Sequence, residues 1–116
     1  YLKFIKQELV EGLDKVPKKD LGNLIICYEP VWAISSNKGA KADTPKNFTE
    51  TSIYIRRVLF FKFGRKIAHE IPIIYGGSVD DENAKGFLEE GGAQGLLVGR
   101  ASLKAKSFIE LLKSVK

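Results

Sequence analysis

Residues 24–34 read Leu-Ile-Ile-Cys-Tyr-Glu-Pro-Val-Trp-Ala-Ile, an apolar, partly β-branched run that stops at a carboxylate and is followed at once by proline. This stretch constrains the fold more than any other. Such a run predicts a strand covered on both faces, as strands of parallel sheets are, with Glu29 at its C-terminal rim. Pro30 lacks an amide hydrogen and holds its φ, so the chain must leave the sheet there. The C-terminal rim of a helix-wrapped parallel sheet is where chemistry collects, which makes Glu29 the first candidate site residue. A lone carboxylate at a strand end serves equally well as a solvated cap or ion-pair partner, so the residues around it must decide.

The rest of the chain repeats the same alternation. Leu2, Ile5, Leu9, Leu13 and Val16 recur at steps of three and four, predicting an opening amphipathic helix that Pro17 ends. Lys18-Lys19-Asp20 then cross the surface, and residues 24–28 form the first strand. The small polar run 35–43 predicts a loop. Thr44-Pro45 supplies an N-cap and a proline at the first helical position. Phe48, Ser52, Ile55, Leu59 and Phe63 make the stripe of the second helix, with Gly64 its C-cap. Residues 71–75 predict a second strand, which tolerates Pro72 because its first residues need not donate to the ladder. Asp80-Asp81-Glu82-Asn83 place acids at the start of a helix that Gly91-Gly92 end. Residues 95–99 predict a third strand, and Phe108, Leu112 and Val115 a closing helix. One helix followed by three strand-helix units implies an α/β chain with parallel strands and helices outside them.

Size limits what this alternation can build. The chain has 116 residues, whereas a closed eight-unit barrel takes about 250, roughly 31 per unit. Fewer than four units fit, so residues 1–116 read as a single partial domain. The opening helix has no Ser, Thr, Asp or Asn cap, and the chain has no methionine, which together suggest a chain cut inside an element. The hydrophobic fraction of 44% is that of a globular chain. No apolar run is long enough to cross a bilayer, and nothing resembles a signal peptide. Cys27 is the single cysteine, which excludes an internal disulfide and fits a cytoplasmic, reducing setting. The net charge of +5 comes from scattered lysines and arginines with no nucleic-acid motif, so it reads as solvated helix faces.

Three stretches carry a more specific signal: Tyr28-Glu29-Pro30-Val31-Trp32-Ala33-Ile34, Ile74-Tyr75-Gly76-Gly77-Ser78-Val79, and Leu97-Val98-Gly99-Arg100-Ala101-Ser102-Leu103-Lys104. In content, order and spacing they resemble the triosephosphate isomerase family. The resemblance covers nearly the whole chain and matches only the last part of that enzyme. It implies the C-terminal part of a TIM (β/α)8 barrel, with strands six to eight present, preceded by one helix, and the barrel incomplete. It also implies interconversion of glyceraldehyde 3-phosphate and dihydroxyacetone phosphate, with no cofactor, no metal, no nucleic acid and no membrane. The one partner it names is a small phosphorylated triose.

The resemblance assigns roles to residues. Glu29 matches the base that moves a proton between adjacent carbons. Pro30, Val31, Trp32, Ala33 and Ile34 match the hinge of a lid, and Ser35 begins its tip. Strengthening of the base by lid closure is this family's own known chemistry, carried over with the match. Gly76, Gly77, Ser78, Gly99 and Arg100, with the Ser35 amide, match the phosphate site. Tyr75 and Ser78 match residues whose hydroxyls latch the closed lid. Departures exist: Ser35-Ser36-Asn37-Lys38 replaces Gly-Thr-Gly-Lys, the loop is longer, and Arg100 stands where a glycine is common. The family's electrophilic histidine and substrate-binding lysine belong to the absent half. His69, before the second strand, reads as a surface or packing residue, and Cys27 as a small core residue. The isolated chain is therefore expected to be nearly inactive, needing the missing N-terminal half or self-association. The alternative is a non-catalytic phosphate-binding module.

Overall fold

The computed structural model describes residues 1–33 and 41–116. Helix α1 (Leu2–Leu13) leads through a 3-10 turn (Lys18–Asn23) to strand β1 (Ile26–Tyr28). Helices α2 (Pro45–Phe63) and α3 (Arg65–Glu70) precede strand β2 (Ile73–Tyr75). Helices α4 (Ala84–Glu89) and α5 (Ala105–Ser114) complete the order. β1 and β2 pair in parallel, Ile26 opposite Ile73, Cys27 opposite Ile74 and Tyr28 opposite Tyr75. The intervening helices α2 and α3 carry the crossover that parallel neighbours require.

Local chemistry sets the ends of α2 as expected. The Thr44 hydroxyl accepts a hydrogen bond from the Asn47 amide at 3.1 Å, and Pro45 occupies the first turn. Gly64 ends the helix at φ +93°, a left-handed conformation that favours glycine. The buried stripe is Phe48, Thr51, Ile55, Val58 and Leu59; Thr51 and Val58 join it, while Ser52 and Phe63 lie half-buried at its edges. Phe48 meets Tyr75 and Phe87 edge-on, and Tyr75 and Phe87 stack with centroids 3.8 Å apart and planes 11° apart. That aromatic cluster, with Ile71, Ile73, Val79 and Leu111, is the core between β2 and the helices.

Several elements differ from expectation. The opening helix stops at Leu13 rather than running to Val16, and among its residues only Ile5 is buried. Lys18–Asn23 wind into a 3-10 turn instead of crossing the surface, because Leu21 inside it is buried at 1% exposure. β1 is shorter than residues 24–28 and is not covered on both faces, since Ile25 is 64% exposed. The third strand reduces to a single parallel bridge, Leu96 to Tyr75. Three backbone hydrogen bonds tie that segment to β2: Gln94 N to Ile73 O, Tyr75 N to Gly95 O and Leu97 N to Tyr75 O. With pairing on one side among the described residues, the ladder does not extend further.

Helix α3 was not anticipated, and one arginine accounts for it. The Arg56 guanidinium donates to the carbonyls of Ala68 at 2.7 Å and Ile71 at 3.0 Å, closing the C-terminal end of α3. It also donates to Gln94 Oε1 at 2.6 Å, and that oxygen accepts the Ile73 amide as well. One side chain thus binds α2, α3, β2 and the Leu96 segment together. Before α4, the acids act one turn earlier than expected: Asp80 Oδ1 accepts the amides of Glu82 and Asn83. Among the described residues, no helix is long and apolar enough to cross a membrane.

Candidate active site

Parallel pairing brings three loops to one edge. β1 ends at Tyr28, β2 at Tyr75 and the bridged segment just past Leu96, so Glu29, Gly76 and Gly99 all leave the sheet from its C-terminal side. One step beyond the last paired residues, the Gly76 amide donates to the Tyr28 carbonyl at 2.9 Å. This places the Gly76 backbone against the Glu29 side chain. A Cβ on Gly76 would stand 2.6 Å from Glu29 Cγ, 3.0 Å from its Oε1 and 2.5 Å from Cys27 Sγ. Here glycine is required by close approach. Glu29 itself is exposed to solvent, and its Oε1 accepts a hydrogen bond from the Cys27 thiol at 3.6 Å.

After Glu29, Pro30 is buried and its carbonyl accepts the Ala33 amide at 2.9 Å. Val31–Ala33 make one 3-10 turn in which Ala33 is fully buried. Trp32 is half-exposed and meets the Tyr1 ring edge-on at 5.8 Å, as a rim anchor would. Ile34 and Ser35 lie outside the described residues. The two stems of that loop are nevertheless joined. The Lys41 amide donates to the Trp32 carbonyl at 2.9 Å. The Ser78 hydroxyl donates to the Ala33 carbonyl at 2.7 Å, and the Asp43 amide donates to the Tyr75 hydroxyl at 3.1 Å.

Tyr75 thus anchors one stem of the loop through its hydroxyl. Its side chain is completely buried, and burial pushes its phenol up to about 12, the nearby Asp43 carboxylate adding to the rise and the Asp43 amide opposing it. At any ordinary pH the hydroxyl stays protonated and fixed between the loop stem and the aromatic core. Gly77 is buried beside it, and a Cβ there would come within 2.5 Å of Tyr75 Cζ and 2.9 Å of Ala33 Cβ. Gly77→Ala should push the Tyr75 ring and the Ala33 stem apart, lowering stability by about 1–3 kcal/mol as overpacking does. Urea titration of the chain measures it; an unchanged midpoint would show that the loop has room.

Two supporting residues escaped the sequence reading. Asp43 is 9% exposed, and its Oδ1 accepts from Asn47 Nδ2 at 2.7 Å, which orients the loop stem whose amide meets Tyr75. Asn83 Nδ2 donates to the Ser78 carbonyl at 3.1 Å while its Oδ1 accepts the Asp80 amide, bracing the loop after β2. The only available signal was Asp43's position just before Thr44-Pro45. At the third loop, Gly99 and Arg100 are exposed. A 3-10 turn runs Arg100–Ser102, and the Ser102 amide and hydroxyl both donate to the Gly99 carbonyl, at 2.9 and 2.6 Å. His69 lies exposed in the last turn of α3, before β2 and so at the opposite end of the strand from Glu29. Beside β1, α1 leaves a cavity of about 700 Å³ whose walls include Tyr1, Glu8, Leu9, Cys27, Glu29 and Trp32.

A strand-exit carboxylate with glycine loops at the same edge of a parallel sheet marks an α/β protein whose candidate site lies at the C-terminal ends of its strands, the place where (β/α) barrels carry theirs. Comparison with known proteins sharpens this. The family model described as "Triosephosphate isomerase" matches residues 1–115, and the chain belongs to that family. Proteins named triosephosphate isomerase are similar throughout: one from Fusobacterium nucleatum is 44% identical over 113 residues, covering 97% of this chain and 44% of the relative. One from Carboxydothermus hydrogenoformans is 42% identical over 109 residues, covering 94% and 42%. One from Mycoplasma genitalium is 38% identical over 112 residues, covering 97% and 45%. The chain thus spans less than half the length of the curated relatives it matches.

Proposed function

We propose that this chain supplies the base, the lid stems and the phosphate loops of a triose-phosphate isomerase. The supporting observation is the placement of Glu29 over Gly76, with both loop stems bonded to the Tyr75–Ser78 loop. In this reading the Glu29 carboxylate removes a proton from one carbon of the triose and returns it to the next through an enediolate. The amides of Gly77, Gly99 and Arg100, at neighbouring strand exits, hold the phosphate dianion, while Gly76, its own amide bonded to the Tyr28 carbonyl, lets the backbone approach closely. Ser35 and Ile34 belong to the lid that excludes water during transfer. The strands are the sixth, seventh and eighth of the barrel, and the reaction is the aldose-ketose step of glycolysis and gluconeogenesis.

The electrophile that must stabilise the enediolate oxygen is not supplied by this chain, because its single histidine, His69, points the assignment elsewhere by its place before β2. Turnover then requires the N-terminal part of such an enzyme, or a further copy completing the sheet at the open edge of β1. The test is to co-express the chain with the N-terminal part of the Fusobacterium relative and assay the interconversion. Turnover by the pair and little by the chain alone supports the reading. Enzyme-range turnover by the chain alone would overturn the need for a partner. No turnover by the pair, combined with phosphate-dependent thermal stabilisation of the chain, would favour a phosphate-binding module.

A further inference from the structure

We propose that Cys27 is a positioning residue whose thiol hydrogen bond holds the Glu29 carboxylate in place above Gly76. This rests on the reading of Glu29 as the base, and it adds a residue that the family motifs do not single out. Cys27 and Glu29 stand two apart on an extended segment, so their side chains project to the same side. Cys27 Sγ donates to Glu29 Oε1 at 3.6 Å. The space both occupy is the space a side chain on Gly76 would fill.

Glu29 needs such a restraint. It is exposed, has three side-chain torsions, and sits at a strand exit where the following proline offers no amide. Among the described residues, the thiol provides the one hydrogen bond seen on its carboxylate. A thiol suits the position because it is a weak donor. It fixes one oxygen without neutralising the group, and Oε2 keeps its lone pairs for the proton. A lysine or arginine there would hold the carboxylate more firmly and weaken it as a base.

The same contact acts on the sulfur. Burial, then the charge of Glu29, then the hydrogen bond to it raise the thiol to about 12. The thiol stays protonated and remains a donor. Other titratable groups lining the cavity around it are Tyr1, just before α1, Glu8 on α1 and Tyr28 on its own strand; β2 contributes Ile74 opposite.

Because the chain has one cysteine, every thiol signal reports on this contact. In the purified chain, Glu29→Gln should speed alkylation by iodoacetamide about tenfold at a pH well below the thiol midpoint, as loss of a neighbouring like charge lowers that midpoint by about one unit. Glu8→Gln, which removes a carboxylate lining the same cavity, should leave the rate unchanged. Equal labelling of Glu29→Gln and the parent chain, or an equal acceleration in Glu8→Gln, overturns the proposal. A second reading follows the carboxylate directly. With ¹³C-labelled glutamate, the Glu29 side-chain order parameter should fall in Cys27→Ala and be retained in Cys27→Ser. A fall in both variants, or in neither, overturns it as well. Neither experiment reads turnover, so absence of isomerase activity would leave their outcomes standing.

Discussion

In an assembly that turns over, Glu29→Gln should lower kcat by about 10²- to 10⁴-fold, the range that a positioned proton-transfer group contributes. Glutamine has the shape of glutamate and an oxygen that can still accept from the Cys27 thiol, so the loop over Gly76 should keep its form. It has no carboxylate to take a proton. KM should change little, because the candidate phosphate contacts are backbone amides of the other two loops and are untouched. A fall in kcat with KM unchanged marks an interaction made in the transition state and not in the ground state. Steady-state kinetics of the paired chains measures both constants. A loss below tenfold would place the base elsewhere.

Phe87→Ala should cost about 3–5 kcal/mol, the range for deleting a fully buried phenyl ring. Phe87 has 0% exposure, stacks on Tyr75 and meets Phe48 edge-on. No smaller neighbour can fill the gap without tilting Tyr75, whose hydroxyl is tied to the Asp43 amide. The loss is a large fraction of the stability of a small domain, about 5–15 kcal/mol. The variant should therefore unfold at far lower urea, or fail to fold, while Phe87→Leu keeps most of the volume and loses much less. Equilibrium unfolding followed by far-ultraviolet circular dichroism decides it. A Phe87→Ala midpoint close to that of the parent would mean the aromatic stack is not the centre of the core.

Features set by local chemistry were legible in the sequence. Thr44, Pro45 and Gly64 mark the ends of α2 because caps act within one turn, and Pro30 ends β1 because proline cannot donate. Features set by distant partners were not. The Leu96 segment has the composition of a strand, yet its length depends on neighbours that its own residues do not specify. Helix α3 depends on the guanidinium of Arg56, twelve residues before the Ala68 carbonyl it meets. Cys27 reads from sequence as a small core residue because alternation along a strand tells which side a thiol faces and not which group it touches. Asp43 reads from sequence as one more polar loop residue; its burial follows from the Tyr75 hydroxyl reaching its amide across 32 positions of sequence.

The three bonds joining Trp32 to Lys41, Ala33 to Ser78 and Asp43 to Tyr75 have an engineering consequence. They fix the spacing of the two stems whatever sequence runs between them. Doubling the length of a flexible segment grafted between them adds only about 0.6 kcal/mol of closure entropy. Segments of other lengths and compositions could be grafted there, each presented from the same pair of anchor points, without redesigning the sheet beneath.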